Sequence, residues 1–455
     1  MDRRMLLSGA LALSLAGGAT ARGAAPAKAP LITTDYAPLR RVMVHEPSEH
    51  DYVVALDDRN LTPEPWALPP DAIAQHREFQ ALLTASGAEV LKLEDLLQTA
   101  VDAAKSKGVF ATWLRALYPR LGGDPDAVTA ATLLGRDPKV QFQRWPDGSY
   151  RHVADGTAGM IFSRDATIQT PGGLIISRLS NPSRVLEPFI SRFLADFAPA
   201  FANYPVVFDG MQEGLFVEGG DIQVVDEKTL FIGVGNRSDP RVAPLLAARL
   251  NMDVLAVHTR KADALRGWTG ADSLRSMLLH LDTVFTHVGR KKGLALPWFL
   301  EKEASGKDPL TAFVKGFGAN PQFEDGDVEK AVSYLADFGK VTRYEAGTGK
   351  VDKLPEGMKL VDYVRKQGYD MTFVGGEPPE KPDFEYLVEV VLKEHRFQAA
   401  NVVATAPDKV IAYKGADRTH AALRAAGVEV STFNAREIWP WNGGPHCLTL
   451  PLERG

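Results

Sequence analysis

The sequence predicts an α/β protein: a five-bladed, pseudo-symmetric α/β propeller carrying a helical insertion domain. Three observations predict it. A short β-branched run, a polar turn, an amphipathic helix and a returning strand recur along the chain. Gly87 and Gly427 stand just past two of these helices, where a left-handed stop is expected. Finally, one such unit cannot bury its own apolar face, whereas a closed ring of them can. The repeat lies in pattern, not in letter-by-letter identity.

The units follow in order. The first is a strand over Leu39–His45, a helix over Asp71–Ser86 and a returning strand over Val90–Leu93. Leu96 to Leu134 then reads as several short helices inserted behind it. The second unit has a strand over Gly173–Ser177, a helix over Val185–Phe197 and a strand over Pro205–Phe208. The third opens with a hairpin, Ile222–Val225 and Leu230–Val234, followed by a helix over Val242–Leu250 and a strand over Val254–Val257. The fourth shows only Thr283–Phe285 and Gly293–Leu296. The fifth is a hairpin of Asn401–Ala404 and Val410–Tyr413, a helix over Thr419–Ala426 and a strand over Val428–Phe433. The expected division is therefore a leader (1–30), the first unit (31–95), a helical insertion (96–150), units two to four (151–297), a second and mostly helical insertion (298–395), and the last unit (396–455).

Composition bounds the partners. The 455 residues are 45% hydrophobic and 24% charged with a formal net charge of -5, a balance that points away from nucleic acid and from an anionic membrane surface. Arg3-Arg4 precedes an apolar run from Leu6 to Ala16, too short to span a bilayer, and Ala19-Thr20-Ala21 suits a cleavage site. This predicts a signal peptide and a periplasmic location in a bacterium, by twin-arginine export or by the general route. No other stretch is long and apolar enough for a membrane helix. Cys447 is the only cysteine, so it forms no internal disulfide. By composition alone it is either an inert buried residue or a reactive thiol.

Four further clusters carry chemistry: Phe162-Ser163-Arg164-Asp165, Glu218-Gly219-Gly220-Asp221, His280-Leu281-Asp282, and the separated Arg184 and Arg237. Paired glycines in a strand interior suggest a bulge or close backbone approach that turns Glu218 inward. His280 and Asp282, two apart, would share a face if on a strand. The carboxylates and histidine carry metal-binding atoms, but there is no His-x-x-x-His spacing and only one cysteine, so no metal is expected. Carboxylates bind a planar guanidinium well. A thiolate is nucleophilic enough to attack its carbon, and a histidine can give the leaving amine its proton. The inventory suits covalent hydrolysis of a guanidino group.

In order along the chain, Phe162-Ser163-Arg164-Asp165, Glu218-Gly219-Gly220-Asp221, Gly233-Val234-Gly235-Asn236-Arg237, His280 to Thr286 and Gly443-Gly444-Pro445-His446-Cys447 resemble the motifs of arginine deiminase, a guanidino-group modifying enzyme of the amidinotransferase-like superfamily with the pentein fold. The resemblance implies that Cys447 attacks the guanidinium carbon and that His280 protonates the departing ammonia and then activates water. It implies that Asp165 and Asp282 hold the guanidinium and that Glu218 balances charge near His280. Asp221 would support the site, Arg184 and Arg237 would bind the substrate carboxylate, and Phe162 would line the pocket. No cofactor is implied, the substrate is a small guanidino compound, and a homo-oligomer is left open. Two departures stand at the recognition end. Ile438-Trp439-Pro440-Trp441-Asn442 lacks the arginine the family carries before its last glycines, and Gly159 replaces an asparagine. The alternatives are an amidinotransferase, a dimethylarginine or other guanidino hydrolase, and, in another class, a non-catalytic exported cation-binding protein.

Overall fold

The computed structural model describes residues 32–47, 69–117, 124–134, 142–144, 150–152, 160–180, 184, 187–259, 278–301, 315, 326–380 and 383–455. The expected leader and Gly159 lie outside these residues. The architecture is mixed α/β. Five separate sheets share one plan: an antiparallel pair, then a third strand parallel to the second. A parallel strand cannot follow its neighbour by a tight turn, so a helix bridges each second and third strand.

The second unit illustrates the plan. Thr167–Thr170 pairs antiparallel with Gly173–Ile176, and Val206–Asp209 joins parallel after the helix Glu187–Phe197. The third unit repeats it with Ile222–Asp226, Thr229–Val234, the helix Val242–Leu250 and Asp253–His258. The fifth repeats it with Val403–Ala406, Lys409–Tyr413, the helix Asp417–Ala425 and Glu429–Phe433. In the first unit Leu39–Val44 is followed by the helix Ala72–Ala85 and the parallel strand Glu89–Lys92. Its antiparallel partner comes from the far end of the chain, Leu450–Arg454. Gly87 and Gly427 take positive φ angles of 94° and 78°, the stops expected of them.

The stretch 298–395 differs from its expected, mostly helical form. The helix Leu360–Lys366 leads into Asp370–Phe373, which pairs parallel with Lys292–Ala295 and completes the fourth unit begun by Phe285–Gly289. Val341–Tyr344 adds antiparallel to the edge of the third sheet, and Val351–Asp352 pairs with it in turn. These strands are short and half-buried, so their alternation is blurred by charged neighbours. The first insertion is helical as expected over Leu93–Ser106, Phe110–Leu117 and Ala130–Leu133, and a small hairpin, Phe142–Arg144 with Tyr150–His152, follows it.

Apolar packing joins helix to sheet within each unit. Val242, Leu246 and Ala247 of the third helix share one buried cluster with Leu230, Ile232, Val254 and Ala256. Each such side chain contributes about 1.5–3 kcal/mol on leaving water. The inserted helix Leu93–Ser106 buries Leu93, Leu97, Val101 and Ala104 on one face, against Ile190, Phe193 and Leu194 of the second unit. Among the described residues no helix is long and apolar enough to cross a membrane.

Candidate active site

Every expected catalytic residue lies at the entry to the first strand of a unit. Asp165 sits in a single helical turn, Ser163–Ala166, directly before Thr167–Thr170. Glu218 precedes the 3-10 turn Gly219–Asp221, which leads into Ile222–Asp226. His280 precedes another 3-10 turn, Leu281–Thr283, just before Phe285–Gly289. Cys447 stands three residues before Leu450–Arg454. His280 and Asp282 thus stand before the strand rather than on it, and they diverge to different partners.

The paired glycines form no bulge; they allow close approach. A Cβ on Gly220 would lie 2.5 Å from Nδ1 of His280, and one on Gly219 would lie 1.9 Å from the carbonyl oxygen of Arg164. The imidazole can thus lie flat on the Gly219–Asp221 turn. Its Nε2 is 2.7 Å from Oε2 of Glu218. The other oxygen, Oε1, accepts from the backbone N–H and hydroxyl of Ser180 at 2.7 and 2.6 Å. Arg237 donates to the Ser180 hydroxyl at 3.1 Å and stands 3.8 Å from Oε1 of Glu218. Asp221 accepts from the Ser238 hydroxyl at 2.6 Å and from the backbone N–H of Leu281 at 3.1 Å.

Asp282 faces the cysteine. Its Oδ2 is 2.8 Å from Nδ1 of His446 and 3.5 Å from Sγ of Cys447. Its Oδ1 is buried with no hydrogen-bond partner among the described residues, and the same is true of Oδ1 of Asp165. The Arg164 N–H donates to the carbonyl of Cys447 at 3.3 Å, which brings Asp165 alongside the thiol's turn. Cys447, His280, Glu218 and Asp282 are 4%, 2%, 1% and 0% exposed.

Burial opposes charge on all of these groups, so their partners decide each state. Burial works to raise Glu218, yet Arg237, His280 and Ser180 hold it well below the ordinary carboxylate range. Burial works against protonated His280, but Glu218, Asp165 and Asp221 raise it to about 9. Asp221 is pushed up to about 7, chiefly by burial. Asp282 is lowered despite burial by His446, His280 and Arg164. The Cys447 thiol is pushed well up by burial and by Asp282 and Asp165. At neutral pH His280 is protonated, Glu218 and Asp282 are ionised, and the Cys447 thiol keeps its proton.

The family model of arginine deiminase matches residues 130–312 and 388–454, more than half of the chain. The chain belongs to the arginine deiminase family. It is an amidine-hydrolysing C–N hydrolase of that family. It is 26% identical to the arginine deiminase of Listeria monocytogenes serotype 4a over 94% of this chain and 98% of that one. It is 25% identical to that of Metamycoplasma arthritidis over 91% and 94%, and 27% identical to that of Mycobacterium marinum over 91% and 96%. Among solved structures, AgrE with ornithine and NAD+ aligns at a TM-score of 0.48 and 16% identity, over 92% of this chain and 40% of that longer one.

The remaining members of the expected deiminase site divide. Phe162 lies on the cysteine loop: a Cβ on Gly443 would meet its ring at 2.0 Å. Arg184 already has carboxylate partners within the protein. It donates to Oδ2 of Asp165 at 2.7 Å and bidentately to Glu187 at 2.7 and 2.8 Å. Sequence reasoning missed Ser180, Ser238, Asn401 and the side chain of His446. His446 adjoins the cysteine and was legible as a candidate; the serines and Asn401 carry no spacing signal, because only the fold brings them in.

Proposed function

We propose that this protein hydrolyses the guanidino group of L-arginine to citrulline and ammonia through a covalent intermediate on Cys447. The observation that carries the reading is the pair of buried carboxylate oxygens, Asp165 Oδ1 and Asp282 Oδ1, that have no hydrogen-bond partner among the described residues and stand beside the only thiol. They are acceptors suited to the N–H groups of a flat cation. Arriving between them, the guanidinium offsets the negative charge that keeps the thiol protonated, the thiol releases its proton to water, and Arg184 yields its place on Asp165. The thiolate sulfur bonds to the guanidinium carbon. The C–N bond to the leaving nitrogen breaks as His280 delivers its proton, releasing ammonia. Water then attacks the amidino-thioether carbon, His280 takes its proton, the C–S bond breaks and citrulline leaves.

The finer architecture is part of the same reading: five units closed into a propeller around this site. Bonds between successive entry turns support it. Arg164 donates to the carbonyl of Cys447, Leu281 to Asp221, Asn401 to the carbonyl of Asp282, and Cys447 to Asn401. The Arg178–Val217 bridge links units two and three. The sequence features at Arg3-Arg4 and Leu6–Ala16 support export to the periplasm.

The test is stoichiometric citrulline and ammonia from L-arginine, with Cys447→Ser lowering the rate by at least about a thousandfold. No citrulline from an enzyme whose thiol still alkylates would overturn arginine as substrate. A second reading keeps the chemistry and changes the ligand. Arg184, the cation expected at the substrate carboxylate, is held by Asp165 and Glu187. That favours a guanidino compound without a carboxylate, and agmatine assayed beside arginine and dimethylarginine distinguishes them. Glycine added as acceptor reads out amidino transfer.

A further inference from the structure

Four of the five units bring a catalytic group to the site from the turn before their first strand. The fifth unit's equivalent position, two residues before Val403–Ala406, is Asn401. It is fully buried at 0% exposure. Its Oδ1 accepts the backbone N–H of Cys447 at 3.2 Å, and its Nδ2 donates to the backbone carbonyl of Asp282 at 3.2 Å. Its own carbonyl accepts the N–H of His446 at 3.3 Å. Gly444 leaves the room for this: a Cβ there would lie 2.5 Å from Oδ1 of Asn401 and 2.6 Å from its carbonyl oxygen.

We infer that Asn401 is a positioning residue for the nucleophile, tying the peptide of Cys447 to the peptide of Asp282 and so setting the thiol against its carboxylate. An amide suits the place because it has one acceptor and one donor pointing opposite ways. An aspartate keeps the acceptor and loses the donor. Alanine loses both. The second consequence is electrostatic. The thiol is pushed up by burial and two carboxylates, while the Gly444 backbone and the Asn401 amide favour the thiolate. The same side chain therefore fixes where the sulfur stands and eases its ionisation. The inference rests on Cys447 being the nucleophile, but not on arginine being the substrate.

The test is the pH dependence of Cys447 alkylation by iodoacetamide in the full-length protein, beside steady-state kinetics with L-arginine. In Asn401→Ala the alkylation midpoint should rise by about one pH unit. The turnover number should fall by roughly 10- to 100-fold, with KM changed by less than about threefold. Asn401→Asp should raise the midpoint further, since it adds a carboxylate beside the sulfur. Should alanine fail to fold, Asn401→Ser, which keeps a polar group in the buried place, reads the same midpoint. An unmoved midpoint in a folded variant overturns the inference, as does a rise in KM with turnover unchanged. A moved midpoint in a protein that makes no citrulline sustains it while sinking the arginine reading.

Discussion

Single residues set the acid-base character of this site. His280 is raised from 6.5 to about 9, despite burial, by its bond to Glu218 and by Asp165 and Asp221. It stays protonated through neutrality, as the proposed delivery of a proton to the leaving nitrogen requires. Activity should therefore fall as pH rises through about 9, and in Glu218→Gln that alkaline limb should move to lower pH. A pH profile of kcat/KM checks both, and an unmoved limb would remove Glu218 as the cause. The stability contribution has the same sign. It is fully present below the unfolded value near 6.5 and is lost as pH rises through about 9. Arg184 adds a different residue-scale constraint, because its guanidinium already occupies one oxygen of Asp165.

Short turns, rather than long helices or strands, carry the chemistry at the scale of elements. The Gly219–Asp221 turn shows how finely. Gly220→Ala should cost activity far more than stability, because its Cβ would push aside the imidazole of His280, a side chain that can tilt. Gly219→Ala would drive a Cβ into the Arg164 carbonyl and should lower stability by about 1–3 kcal/mol. Urea unfolding and citrulline assays on the two variants separate these effects, and equal behaviour would refute the distinction. Much of this scale was readable in the amino acids. The strands and helix of the third and fifth units and the glycine stops follow from periodicity and turn chemistry, while the roles of the candidate carboxylates came from the family resemblance. Two things did not. The 3-10 turn at Leu281–Thr283 was hidden because Thr283-Val284-Phe285 is a β-branched and aromatic run that looks like strand from its first residue. The fourth unit's last strand, Asp370–Phe373, was hidden because a long charged segment separates it from Lys292–Ala295.

At the scale of the whole molecule, the pairing of Leu39–Val44 with Leu450–Arg454 joins chain segments some four hundred residues apart. No local pattern announces such a pairing. Buried Arg454 donates to the carbonyl of Ala37 across the same junction, and Leu452 is fully buried. Leu452→Ala should cost about 2–5 kcal/mol and slow catalysis through Cys447, which lies just upstream. Thermal melts with alkylation rates test this, and a destabilised variant with a normal thiol would uncouple the junction from the site. The placement of the nucleophile also orders events during synthesis. A nascent chain that has emerged only through Gly427 has Asp165, Glu218, His280 and Asp282 but no thiol at all. The thiol leaves the ribosome together with Leu450–Arg454, the strand that pairs with Leu39–Val44. On the proposed chemistry, unfinished copies are silent, and a copy that has its nucleophile also has the strand that completes the first sheet.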